Sequence, residues 1–281
     1  MAYAKTILQL EDGEKVMRDV GECVYCGSKL DLSKEHVIPY GLNGTLVLTN
    51  ASCPEHARIT SRFEGVVLRK HLLLVRAGLE MKTRRKRDRP KEFHLTIKDA
   101  DGQRKILLSK EDQPILLAMP KFGPPGLPSS IGSTSGIDIG TTPYIAQVAG
   151  PPVKDFLNEL GKSSSRSADF IFDMQPVDFA RMLAKIGYTA TVGEFGLEGI
   201  HEASCLPAVL GDEDRIGHWV GIIDSKNRVL DNTGLHRIVL EIDKSAIMAR
   251  VKLFAFAGTP EYVVVVGKPT ENLLSKFGIS K

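Results

Sequence analysis

Between positions 23 and 56 the chain sets three cysteines and a histidine at a repeated spacing. Cys23 and Cys26 stand as Cys-x-x-Cys followed by Gly27, and Cys53 and His56 repeat the two-residue gap. A knuckle of this kind turns the backbone so that both sulfurs face one ion. Two such pairs supply the four ligands of a tetrahedral zinc of the Cys3His type. Four protein ligands close the coordination sphere, so the expected zinc is structural. The competing reading, a redox Cys-x-x-Cys with an unrelated Cys53, leaves the second pair unexplained.

Glu35 and His36 add nothing obvious to that zinc. An acid beside a histidine at the entry to a hairpin, facing a helix, is how a hydrolytic site is built around a second, divalent ion. The carboxylate offers oxygen, which suits magnesium or manganese. A histidine with the ordinary pKa of about 6.5 is mostly neutral at pH 7 and can take a proton from water. The ion offsets charge growing on a phosphate oxygen. The bland alternative is a helix-cap or surface pair.

These residues need elements to hold them. Ser52 and Glu55 form the pattern of a capping box that starts a helix at about Cys53, and Pro54 suits its first turn. Ile59, Phe63, Val66, Val67 and Leu74 recur at a helical period, with Gly78 as a stop. Thr45 to Thr49 reads as a strand, and Val37 and Ile38 as a shorter one. The expected order is knuckle, strand, loop, strand, helix. A unit this small builds little core, so the metal should carry much of its stability.

With those residues in view, the stretch resembles HNH endonucleases of the zinc-stabilised ββα-metal type, in the branch with Glu-His-x-x-Pro. The matching pieces are Cys23-Val24-Tyr25-Cys26, Glu35-His36-Val37-Ile38-Pro39 and the pair Cys53 and His56 at a helix start, across about residues 20–76. The resemblance implies that His36 is the general base and that Glu35 is a ligand of a catalytic Mg2+ or Mn2+. It implies that Asn50 is the middle asparagine of the motif, although Asn50 is shifted towards the helix and Asn43 is a rival. Family members usually follow the second metal pair at once with Asn or His as a catalytic ligand. Here Ala57 stands there and cannot bind metal. Thr60, Ser61, Glu64 or water would have to replace it, or the ligand is missing and the nuclease is weak or dead.

Lys82, Arg84, Arg85, Lys86, Arg87, Arg89 and Lys91 make seven of ten consecutive residues basic. Residues 1–91 hold 17 Lys plus Arg against 11 Asp plus Glu, a net of +6, and the remainder holds 20 against 23, a net of −3. Positive charge gathered beside a phosphodiesterase site is a natural contact for a DNA backbone. The same composition suits a solvated linker, and with Pro90 it marks a boundary between 1–90, an HNH-type domain, and 91–281.

Composition is that of a globular chain, with 42% hydrophobic and 25% charged residues. No apolar run reaches the roughly 18 residues of a membrane span. Acidic residues Glu11, Asp12 and Glu14 interrupt any signal-peptide core. Free thiols at metal spacing suit a reducing cytoplasm, and the leftover Cys205 reads as a buried thiol. Residues 92–110 read as a hairpin, 120–152 as a long irregular connection, Val153 to Leu160 as a helix, and Asp178 to Ile186 as an amphipathic helix stopped by Gly187. Strands are expected at Trp219 to Ile223, Ile238 to Ile242, Val251 to Phe256 and Tyr262 to Val266. Sequential strands with short turns argue an antiparallel sheet packed on helices, hence α+β. His201, His218 and His236 match no motif there.

Two function classes follow. One is a metal-dependent HNH-type endonuclease cutting DNA. The other is a catalytically weakened or inactive zinc-containing protein that binds nucleic acid or regulates. A homodimer, or a protein partner held through residues 91–281, is compatible with either.

Overall fold

The computed structural model describes residues 4–8, 13–84, 89–99, 102–126, 143–160, 169–223 and 230–279. In chain order the strands are β1 (Ala4–Leu8), β2 (Lys15–Asp19), β3 (Ser33–His36) and β4 (Leu46–Ser52). Helix α1 (Pro54–Val66) runs through a π turn (Val67–His71) into α2 (Leu73–Gly78). Then come β5 (Glu92–Asp99), β6 (Gly102–Ser109), β7 (Ile115–Met119), β8 (Tyr144–Ala149), α3 (Val153–Glu159) and β9 (Asp169–Ile171). The long helix α4 (Pro176–Phe195) leads to β10 (Ile200–Glu202), α5 (Leu206–Leu210), α6 (Ile216–Trp219) and β11 (Val220–Gly221). The chain closes with β12 (His236–Ile242), β13 (Ile247–Leu253), β14 (Tyr262–Pro269) and α7 (Glu271–Lys276).

This is an α+β fold. The main sheet runs β1-β12-β13-β14-β10, with β11 also on β14, and its pairs are antiparallel. A smaller sheet, β2-β4-β3, carries one parallel pair, β2 with β4. Two further sheets, β6-β5-β9 and β7-β8, hold the middle of the chain. No helix among the described residues is long and apolar enough to cross a membrane.

Helix α4 joins the two principal sheets. Tyr188 donates its hydroxyl hydrogen to the Val24 carbonyl in the cysteine knuckle. Gly193 lies against Met17 and Leu48, while Gly187 lies against Val264 and Ala249. One continuous core results, from Leu8 through Val37, Leu48 and Phe63 to Val264 and Ile279. A satellite core of Leu95, Ile97 and Phe156 sits under β5, β6 and α3.

Several local expectations change. Gly187 does not stop the helix: α4 runs on to Phe195, because a Cβ at position 187 would come within 2.9 Å of Val264 Cγ1 and only glycine lets the sheet approach. Glycine in mid-helix costs about 1 kcal/mol of propensity, which this packing outweighs. The capping box does not form: Ser52 ends β4, and Cys53 caps α1 with no side-chain cap bond. The short strand lies at Ser33–His36 rather than at Val37 and Ile38. Trp219 ends helix α6 instead of opening a strand, and only Val220 and Gly221 are extended. The early stretch at Tyr3 to Leu10 contributes β1, which pairs with β12 from the far end of the chain. The hairpin over 92–110 and the helix from Val153 are where the pattern puts them. Residues 127–142 of the long connection lie outside the described residues.

Candidate metal centre and cleft

The metal group forms from two local turns brought together by the β3–β4 hairpin. At the knuckle, Gly27 N–H donates to the Cys23 carbonyl at 2.8 Å, and Gly27 takes φ +74°, a conformation that glycine adopts without strain. Pro54 at the first position of α1 presents Cys53 just before the helix and His56 inside its first turn. The ligand atoms of Cys23, Cys26, Cys53 and His56 all lie within 4.8 Å of one another. Cys26 Sγ is 3.9 Å from Cys53 Sγ, and Cys53 Sγ is 3.2 Å from His56 Nδ1. Zinc–sulfur bonds of about 2.3 Å in a tetrahedron set ligand edges of about 3.8 Å. The donors therefore fit an ion such as zinc. The His56 ring also stacks on Tyr25, 5.5 Å between centroids, which fixes the imidazole.

A second feature opens beside this group. A cleft of about 450 Å3 is lined by Glu35, His36 and Tyr40 from the hairpin side and by Ala57, Thr60, Ser61 and Glu64 from α1. Arg69, Arg76, Lys82 and Arg84 border it. The sequence expected Glu35 and His36 to face a helix, and they do. Arg69 arrives through the π turn that follows α1.

His36 is nearly buried, and its ring meets Tyr40 edge-on at 5.6 Å. Burial, then the nearby Lys185 charge, holds the imidazole down to about 4. It is therefore neutral at pH 7. Its Nε2 has no hydrogen-bond partner among the described residues, and the Glu14 carboxylate stands 3.7 Å away.

Glu35 is held by a residue that the motif did not include. The ammonium of Lys185, fully buried on α4, lies 2.7 Å from Glu35 Oε1 and 2.9 Å from Glu64 Oε1. It also donates to the His36 carbonyl. Burial works against the Lys185 charge, but Glu35 and Glu64 overcome it and raise its pKa. Burial raises Glu64 against the pull of Lys185. Burial, followed by the charges of Glu35 and Glu64, lifts the Tyr25 phenol well above its usual value. Among the described residues, the only group of three or more histidines, cysteines and acids close enough to share an ion is the Cys3His one. A catalytic Mg2+ or Mn2+ on Glu35 does not fit this arrangement, because the carboxylate already holds a cation.

The remaining expected residues are spread out. Asn50 does not line the cleft. It sits where the β3–β4 register slips, at φ +49°, and its amide donates to Asp19 at 2.8 Å. Asn43 caps a short 3-10 turn, and its side-chain Oδ1 accepts from Lys82 N–H. Lys82 also lies over the Tyr40 ring at 5.6 Å. Arg89 borders a neighbouring hollow with Arg69, Arg76 and Arg84. Arg85, Lys86 and Arg87 lie outside the described residues. Cys205 is buried, with its thiol pushed up to about 12 by burial. His236 is buried between Leu42 and Phe254.

Lys185 had a signal in the sequence. It is the only charged residue from Met182 to Gly193, and a lone cation in an apolar helix stretch must find a buried partner. The signal does not say which partner. No family model, no curated protein and no solved structure matches this chain.

Proposed function

We propose that the protein engages the sugar-phosphate backbone of DNA at this cleft and hydrolyses it there, as an HNH-type endonuclease with zinc in the Cys3His group. The observation that supports this reading is the joining of Glu35 and His36 with Thr60, Ser61 and Glu64 in one cleft bordered by Arg69, Arg76, Lys82 and Arg84. The four cations would attract phosphate. Neutral His36 would take the proton from water through Nε2, which has no hydrogen-bond partner among the described residues. The arginines, as fixed planar donors, would offset charge on the phosphate oxygens. The structural ion would hold the hairpin against α1, and so keep His36 opposite Thr60 and Ser61.

A second reading is favoured by one observation. Glu35 and Glu64 both face Lys185, and Ala57 offers no ligand, which describes a module that binds nucleic acid without cutting it. A base with pKa about 4 also accepts protons weakly.

A plasmid-nicking assay with and without divalent ions separates the two. His36→Ala should lower cleavage by on the order of 10²-fold while zinc content stays nearly unchanged. The acidic limb of the pH–rate profile should follow a group near pH 4, because the base form persists down to that point. This lies below the limb near 6–7 expected of an ordinary histidine. Equal cleavage by wild type and His36→Ala, or no cleavage of any DNA under any ion condition, leaves the binding module.

A further inference from the structure

Two carboxylates facing each other across a helix–hairpin cleft are an unusual thing to bury. Glu35 comes from β3 and Glu64 from the last turn of α1, and each side chain is less than one-fifth exposed. Desolvated acids this close repel each other unless a cation stands between them. A nuclease cleft usually recruits that cation from solution. Here the chain delivers it, from the middle of α4, with the ammonium within 3 Å of both acids and donating to the His36 carbonyl. Lys185 is fully buried, so it cannot touch a substrate. Its reach is confined to Glu35, Glu64 and the backbone that carries His36.

We propose that Lys185 is a built-in substitute for a divalent ion: its ammonium fills the place between Glu35 and Glu64, excludes Mg2+ and Mn2+ from it, and positions His36 through the backbone. The inference rests on the reading of the cleft given above for its link to phosphodiester chemistry, but the occupancy of the place between the acids can be measured without DNA. An ammonium is a compact single charge with three donors. Three acceptors, two carboxylates and a carbonyl, satisfy all three. One positive charge between two acids offsets one of their two negative charges without any ion from outside, and burial raises the pKa of Glu64, which is the direction that lessens the excess.

His36 Nε2, beside the trio, is buried without a hydrogen-bond partner among the described residues. Removing the lysine side chain would leave two acids facing a vacated space, which the smaller manganese ion can enter and bridge.

The test uses zinc-loaded full-length protein and Mn2+ alone as the probe. Thermal unfolding with and without Mn2+, and the paramagnetic resonance signal of free Mn2+, are read for wild type, Glu35→Gln, Lys185→Ala and the double variant Lys185→Ala/Glu35→Gln. Lys185→Ala should gain one Mn2+ per chain and a melting temperature that rises with Mn2+. A variant that folds only when Mn2+ is supplied counts as that gain. Wild type and the double variant should show neither. The proposal is overturned if Lys185→Ala shows no Mn2+-dependent rise, folded or not. It is also overturned if wild type binds Mn2+ and Glu35→Gln abolishes that binding. Neither readout involves cleavage, so a protein that cuts no DNA would remove the nuclease reading and leave this result standing.

Discussion

Tyr188, in the middle of α4, donates its hydroxyl hydrogen to the carbonyl of Val24, between the two knuckle cysteines. The contact ties the metal-binding turn to the helix that carries Lys185. Val24 and Tyr188 are both buried, so Tyr188→Phe leaves a carbonyl without that donor. Stability to urea should fall by about 1–3 kcal/mol. Transfer of the metal to a chromogenic chelator should also become faster, because the knuckle loses its outer support. An unchanged transfer rate would confine the role of Tyr188 to packing.

Cys53 opens the second metal pair and caps α1. Cys53→Ser should cost the bound zinc, seen by element analysis, and unfold the hairpin and α1, seen as lost amide protection there. Full zinc retention in Cys53→Ser would remove the assignment of that ligand.

His236 predicts a pH dependence of stability. Its Nε2–H donates to the Leu42 carbonyl at 2.7 Å, and its Nδ1 accepts from Phe254 N–H at 3.2 Å, which is the pattern of a neutral ring. Burial depresses its pKa to about 4, against about 6.5 in the unfolded chain. Between those values the unfolded state binds more protons. The stabilisation is therefore full above pH 6.5 and is lost as pH falls through 4. The size is about 3 kcal/mol. His36 titrates in the same direction, so the measurement is a comparison: urea unfolding from pH 7 to 4 should have a shallower slope in His236→Gln than in wild type. Equal slopes would show that His236 does not carry the effect.

Lys82 and Arg84 border the cleft. If they meet phosphates, replacing both by alanine should lower the magnitude of the log-affinity versus log-salt slope for DNA by about 0.9 for each phosphate no longer neutralised. Affinity should fall alike for unrelated sequences. A slope equal to that of wild type would make these residues part of a plain connection.

The parts of the fold that local spacing dictates were legible. Two x-x pairs and a proline predicted the metal group, because the geometry is set within a few residues at each end. The hairpin at 92–110 was legible for the same reason, as alternation and a short turn. What depends on distant partners was not. Gly187 reads as a stop in isolation, yet Val264 makes it a packing requirement. Trp219 looks extended in its apolar run, yet it closes α6, where its indole donates to Glu213. Asn50 stood near the expected position, but the slip between β3 and β4 turned it to Asp19. Lys185 announced that it needed a buried acid without naming Glu35.

The span of that last contact bears on how the protein matures. The Lys185 bond to the His36 carbonyl links residues 149 apart in sequence, whereas the four metal ligands fall within one short hairpin segment. Closing the long loop is the slower event, and its entropy cost is met only when α4 docks. On a ribosome the metal-binding hairpin can form while α4 is still unmade, with Glu35 and Glu64 facing each other unneutralised. The cleft is then assembled in two stages: a metal-dependent one set by local geometry, and a later one that waits for the second half of the chain. A nascent protein halted before α4 would hold its zinc yet lack the completed cleft.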